Sequence, residues 1–425
     1  MKFELIFLDT VDPSLGRLDY TSLSQQALME VVIEGITNKE KICGDADEPK
    51  DIEEWKRVRI KDGEVVEIYW YQIDIGGSLK LEWLPSSVRE FVVNRTYLTG
   101  TLNWALPTSM KWLDLGHNLF DGSISLEALP ERMEFLDVSE NKFCGVNLAS
   151  PSDTLKKTLI FSAYRNKLSG SVDLTRLPAA LVRLCLIDNQ LSGSVVLTQL
   201  PGKLEQLYIG GNQLKGSLNL TSLPDLLSDF IADRNEFSGS VDLTRLPAAL
   251  KDLRLSINQL TGSVVLTQLP DGLRCLYLEE NQLKGSLNLT SLPDTLIYFD
   301  SDYNHFSGSV DLTRLPAALE DLLPSINHLT GSVVLTQLPD GLQRLSLGDN
   351  QFNGSLDLTQ LPPSLSELIL NNNSFSGTVD LSQLPQGLEK LNLSENDLSG
   401  EVFISHELFD GVDVRNTKII KRLIE

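Results

Sequence analysis

Asparagine recurs at positions 118, 141, 166, 189, 212, 235, 258, 281, 304, 327, 350, 373 and 396, each step being 23 residues except one of 25. A ruler this regular excludes most folds. A unit of that length cannot bury a core by itself, so the units have to stack and cover one another as a solenoid. The one long step holds the local insertion LASPSDTLKKTL, Leu148 to Leu159. Because the chain reads as one array, its 425 residues do not imply the two or three globular domains that length alone would suggest.

Around each asparagine the frame is LPxxLxxLxLxxNxLxGSVxLTx, as in LPDGLRCLYLEENQLKGSLNLTS from Leu269 to Ser291. In the LxL stretch the leucines alternate, which is the period-two signature of a strand with one buried face. Successive turns then stack such strands about 4.8 Å apart in a parallel ladder. The corner asparagine offers an amide that can pair backbone groups of adjoining coils which would otherwise be buried alone. Gly170 and its equivalents permit a tight bend, SVxL reads as a second short extended piece, and Pro178 and its equivalents fix φ at the start of the returning turn. The stretch VREFVVNRTYLTGTL is an earlier, degenerate turn with Thr96 in the asparagine place.

This pattern resembles the leucine-rich repeat family over about Leu84 to Leu398. The LxGxV half is similar to the plant-type subclass, in which a second strand follows the corner. The LPxxLxxL half is similar to repeats of bacterial effector ubiquitin ligases, whose catalytic domain has no counterpart here. Upstream, LSQQALMEVVIEGI has amphipathic-helix spacing and EEWKRVRIKDGEVVEIYW reads as a hairpin turning at Asp62-Gly63. Together they are similar to the helix-plus-hairpin cap in front of plant-type repeats. Secreted members usually carry a cysteine pair in that cap, and here only Cys43 stands there. The resemblance implies an α/β solenoid, a curved array with a parallel β-sheet on the concave face, mostly short strands and irregular turns on the convex face, and a helical N-terminal cap. The expected divisions are residues 1–66 for the cap, 67–402 for the solenoid and 403–425 for a C-terminal cap, since an open solenoid end exposes core leucines and strand edges.

Two departures test the frame. Ala163, Ala232 and Ser301 replace leucine at the second inward strand position, while Phe161, Phe230 and Phe299 occupy the first, so a large ring beside a small residue keeps core volume roughly constant. Pro324 also sits in a leucine slot and removes a ladder donor, which predicts a local irregularity. The string SGSVDLTRLPAAL appears at residues 169, 238 and 307, so a block of three repeats has been duplicated. Its copies can be compared with one another. The convex-side string is nearly constant, including Asp173, Arg176 and Ala179, whereas the outward strand positions differ. Four residues before the asparagine, one turn type reads Ser162, Ile231, Asp300, the next Cys185, Arg254, Leu323, and the third Tyr208, Tyr277, Ser346. Drift without function would have scattered changes over both exposed faces.

Those varying columns are the candidate site: Trp112, Asp114, Phe135, Asp137, Ile160, Tyr164, Arg183, Ile187, Tyr208, Asp229, Ile231, Asp252, Arg254, Tyr277, Tyr298 and Asp300. Aromatic rings among charges are what protein interfaces use as anchors, because they supply large rigid area at low entropic cost. The same rings would also stabilise the sheet as cross-strand pairs, by about 0.2–1 kcal/mol each. The favoured expectation is a recognition scaffold for a protein or peptide on the concave face; the alternative is an assembly protein docking through its constant convex face. Asp300 and Asp302 could meet a cation, though a solvated acidic strand is the plainer reading.

Net charge is -22 with a pI near 4.6, which opposes binding to nucleic acid or an anionic membrane and favours basic partners. MKFELIFLDTVDPSLG is a poor secretory signal, its short apolar run being broken by Glu4. No stretch approaches the roughly 18 apolar residues of a membrane helix. A monomer in the cytoplasm is expected. The sequons at Asn94, Asn219, Asn288, Asn353, Asn372 and Asn392 are then fortuitous, and Cys43, Cys144, Cys185 and Cys275, far apart, are reduced thiols. No cofactor or catalytic residue is expected. His117, His305, His328 and His406 lie in separate repeats or the cap, and no nucleophile elbow, P-loop or HExxH motif occurs.

Overall fold

The computed structural model describes residues 23–127, 129–149, 155 and 157–423. The segment MKFELIFLDTVDPSLG and residues 150–154 and 156 of the insertion lie outside these residues.

The LxL stretches form one long ladder. Among the described residues it has seventeen strands, beginning at Val58–Lys61 and ending at Val412–Asp413. Val58–Lys61 pairs antiparallel with Glu64–Tyr69 through a turn at Asp62 (φ 55°) and Gly63 (φ 79°), and every later pairing is parallel. The ladder is open, because its terminal strands pair only with their sequence neighbours. Inward leucines such as Leu276 and Leu278 are fully buried. The second extended pieces build a parallel ladder of their own from Ser169–Ser171 to Lys418–Leu423.

The corner asparagines explain why the period is fixed. Asn281 Nδ2 donates to the carbonyl oxygens of Leu255 (3.0 Å), Leu278 (3.1 Å) and Glu279 (3.2 Å), while its Oδ1 accepts from the Leu260 N–H at 3.0 Å. The same four contacts recur at Asn212 and Asn304. Each amide therefore ties its own turn to the coil before it. Thr96, in the degenerate turn, replaces part of this by bonding the Val93 carbonyl at 3.1 Å and Asn118 Oδ1 at 2.5 Å.

Residues Gln25–Val32 form a helix whose Ser24 side chain accepts from the Ala27 N–H, with Leu28, Met29 and Val32 buried. Trp70, at the end of the hairpin, is buried edge-on against Phe91 with ring centroids 5.8 Å apart. At the other end, Lys418–Leu423 pairs with Asp397–Ile404 and adds one more rung to the second ladder.

The departures also resolve physically. Phe161, Phe230 and Phe299 and their small partners Ala163, Ala232 and Ser301 are all fully buried. Asp321–Leu323 pairs in full with Tyr298–Asp300 but only through Asp321 and Leu322 with Arg344–Ser346, so the irregularity at Pro324 is a shortened register.

Candidate functional site

In the long ladder the register aligns outward side chains into columns. Trp112, Phe135, Ile160, Arg183, Gln206, Asp229, Asp252, Cys275 and Tyr298 follow one another across adjacent strands. The next outward column runs Asp114, Asp137, Ser162, Cys185, Tyr208, Ile231, Arg254, Tyr277 and Asp300. Tyr164 and Ile187 stand two residues further along their turns, just before the corner. Fourteen of the sixteen candidate residues thus lie on one face of one ladder, with Tyr164 and Ile187 just beyond its strands. Asp300 is the one that is buried, at 8% exposure.

Neighbouring rungs bring particular pairs into contact. Trp112, 41% exposed, stacks on Phe135 with centroids 3.8 Å apart and planes 10° from parallel. Tyr277 stacks on Tyr298 at 4.5 Å. Arg254 lies 4.6 Å over the Tyr277 ring and grips Asp252 with Nε at 3.0 Å and a terminal nitrogen at 2.7 Å. That hydrogen bonding raises the Arg254 pKa further and keeps it cationic. Arg183 bonds Gln206, and Arg344 bonds Asp321.

The expectation that Asp300 and Asp302 form a solvated acidic strand does not hold. Burial pushes Asp300 up to about 6 and Asp302 up to about 8, the Asp300 charge adding to the rise at Asp302. Tyr298 Oη donates to Asp300 at 3.1 Å, and the Ser325 N–H donates to Asp302 at 2.5 Å. Two further acids that the sequence reading left out, Asp233 and Glu279, are also raised, chiefly by burial. No sequence signal marks them, because they stand before the corner among residues of every kind. A buried carboxylate surrounded by others is destabilising, so the zone is costly to the fold.

The constant convex-side string has its own explanation. Asp173 Oδ1 accepts from the Thr175 N–H (2.9 Å) and hydroxyl (2.6 Å), and Asp242 and Asp311 do the same for Thr244 and Thr313. Asn219 and Asn288 make the identical turn with Thr221 and Thr290. Asp173 is thus dictated by turn chemistry, which the sequence reading had not recognised. The Asn-Leu-Thr sequons arise from the same turn. No such bond is seen for the exposed Arg176 or Ala179. The four cysteines are unpaired.

No protein-family model and no curated protein sequence matches the chain. Solved structures do. YopM, a leucine-rich effector protein from Yersinia pestis, is 25% identical with a TM-score of 0.54, the match covering 84% of this chain and 88% of that one. The ectodomain of the Arabidopsis receptor kinase HAESA is 23% identical with a TM-score of 0.45, covering 93% and 86%. The plant peptide hormone receptor RGFR1 is 22% identical with a TM-score of 0.48, covering 79% and 68%. The chain has the leucine-rich repeat fold. Its 23-residue turns, second strand after the corner and helix-plus-hairpin cap are those expected from the plant-type pattern.

Proposed function

We propose that the protein is a non-enzymatic recognition scaffold that holds a protein or peptide along the concave lining formed by the outward side chains of the long ladder. Aromatic rings are its anchors, and the acidic groups select a basic partner. The observation that carries this reading is the contrast within the duplicated block. Positions that bond the backbone stay fixed, while outward ladder positions change among aromatic, aliphatic and charged residues. Two patches stand out, the Trp112–Phe135 stack and the Tyr277–Tyr298 stack with Arg254. Seven rungs separate the strands of Trp112 and Tyr277, about 34 Å at ~4.8 Å per rung, which about ten extended residues can span. A partner engaging both patches is therefore a long segment or a protein surface rather than a metabolite.

The test is affinity purification from native cells with Tyr208→Ala, Tyr277→Ala and Tyr298→Ala combined. Partner recovery should fall sharply while the circular dichroism spectrum stays that of the parent. Full recovery by the folded variant would refute the reading. The exposed Arg176, Arg245 and Arg314 recur identically on the other side and favour the second reading, convex docking. Reversing their charges should leave recovery intact if the concave lining is the site.

A further inference from the structure

His305 and His328 stand 23 residues apart, one period of the array, so they hold the same place in consecutive turns, directly after the corner asparagines Asn304 and Asn327. Repeats that are separate in sequence are neighbours in space. Each histidine opens a strand of the second ladder, His305–Gly308 and His328–Gly331, and the two strands pair in parallel. The imidazoles lie face to face, with ring centroids 5.6 Å apart and planes 9° from parallel. Both residues are exposed. Apart from this stacking, neither ring has a hydrogen bond or ion pair among the described residues. His117, by contrast, is engaged, its Nδ1 lying 2.8 Å from Glu140 Oε2.

The duplicated block shows that the fold does not ask for histidine at either place. The equivalents of His305 are Lys167 and Glu236, and those of His328 are Gln190 and Gln259. Glutamine also flanks the pair in the same column, at Gln282 and Gln351. Histidine occurs only 4 times in 425 residues, yet the third copy has it at both of two touching positions. Stacking alone is a weak cause for that, since a cross-strand ring pair contributes about 0.2–1 kcal/mol and any aromatic side chain would supply it. Two adjoining imidazoles have a further property, that of a chelating pair of nitrogens.

We propose that His305 and His328 bind a divalent late-transition metal ion between them through one neutral imidazole nitrogen each, Cu2+ more tightly than Zn2+. Imidazole suits both ions, and that order is the general one for nitrogen sites. Metal–nitrogen bonds of about 2.0–2.1 Å set the two nitrogens about 3 Å apart. Because both rings are exposed, they reach this by rotation about side-chain torsions, swinging their edges together. Water completes the coordination, since among the described residues no third His, Cys, Asp or Glu is grouped with the pair. Two protein ligands make a site of moderate strength with open positions, unlike the closed four-ligand shell of a structural zinc site. Lys284, in register with His305, is exposed, where salt screens its charge. The site is independent of the concave-face reading.

The experiment titrates the whole chain with Cu2+, followed by electron paramagnetic resonance, and with Zn2+, followed by calorimetry. The tightest Cu2+ should show coupling to two imidazole nitrogens. His305→Gln and His328→Gln each install the residue that the column carries elsewhere, so the circular dichroism spectrum should stay that of the parent. Each should leave one coupled nitrogen and weaken Cu2+ and Zn2+ binding about a hundredfold, the loss expected when one of two linked ligands is removed. His117→Gln should change neither. Zn2+ should also raise the melting temperature of the parent and not that of either variant. If the tightest Cu2+ couples to a single nitrogen in the parent, or if tight binding and the melting shift survive in both variants, the metal is an adventitious ion only and the proposal is overturned. Equal weakening by His117→Gln overturns it as well, by placing the metal beside Glu140.

Discussion

Replacing Asn281 by alanine should be among the most damaging single changes in the array, and the size of the effect follows from what its amide satisfies. The side chain accepts from the buried Leu260 N–H and shares its two N–H groups among the carbonyls of Leu255, Leu278 and Glu279. Alanine orphans one donor outright and leaves the carbonyls with nothing to replace the amide. At about 1–3 kcal/mol for each buried group left unpaired, the loss is about 3–5 kcal/mol. Asn288→Ala is the matched control. Its Oδ1 accepts from the Thr290 N–H and hydroxyl at an exposed turn, where water takes over, so about 0.5 kcal/mol is expected. Urea unfolding followed by circular dichroism measures both, and hydrogen exchange at the Leu260 amide localises the damage even if the long array does not unfold in one step. Asn281→Asp should be no milder than alanine, because it sets a buried carboxylate against the carbonyl oxygens of Leu255, Leu278 and Glu279. Should Asn281→Ala come within about 0.5 kcal/mol of Asn288→Ala, the view of the corner amide as the tie between coils is wrong.

Two further outcomes follow from the same accounting of buried polar groups. Ser301 occupies an inward slot that Ala163 and Ala232 fill in the sister turns, and its hydroxyl is buried with no hydrogen-bond partner. Ser301→Ala should therefore stabilise the protein by about 1–2 kcal/mol in urea unfolding, and a loss of stability would contradict this. Asp300 and Asp302 titrate higher in the folded chain than in the unfolded one, so the folded state binds more protons between the ordinary carboxylate range and about pH 8. Their contribution to stability is then greatest at low pH and is lost as pH rises through about 6 and about 8. Asp302→Asn, which keeps the acceptor for Ser325 N–H, should flatten the fall in melting temperature over that window.

The ladder, its register and the hairpin cap were legible because each rests on a local pattern, the LxL alternation, the 23-residue ruler and Asp62-Gly63. Other features were not. The residue before each corner adopts positive φ, including Ile257 at 51°, Tyr303 at 51° and Ile326 at 50°. A β-branched residue there costs about 1–2 kcal/mol, so no propensity rule would have placed it; the position is imposed by the corner amide that follows. From Ile160 to Asp300 the outward columns were legible from the differences between block copies, whereas Trp112, Asp114, Phe135 and Asp137 precede the block and followed from the repeat frame alone. The acidic zone at Asp233, Glu279 and Asp302 was not legible, because its character depends on burial by neighbouring rungs. Asp302 reads from the sequence as a hydrated surface acid, and only stacking against Asp300 and Glu279 makes it otherwise.

Constancy and variation in the repeat have one physical cause. The corner asparagines, the Asp173-type turns and the inward leucines stay because each pairs backbone groups or fills core volume, and any substitute leaves something buried unpaired or a cavity behind. A side chain pointing out from the middle of the long ladder serves a backbone group only where it is an acceptor such as Asp114, Asp137 or Asp300, each bonding the N–H two residues on, so the fold sets a looser requirement there. Constancy on the convex side is therefore weak support for docking there wherever a turn already accounts for it, as at Asp173; Arg176, which no such bond accounts for, is the sharper probe of that side. The same reasoning inverts at Asp233, Glu279, Asp300 and Asp302. There the outward positions are free to be neutral, yet they crowd partly buried acids whose proton affinities are raised by burial and by one another. Two of them do serve the backbone, Asp300 accepting from the Asp302 N–H and Asp302 from the Ser325 N–H, so these bonds are kept at a cost in stability near neutral pH.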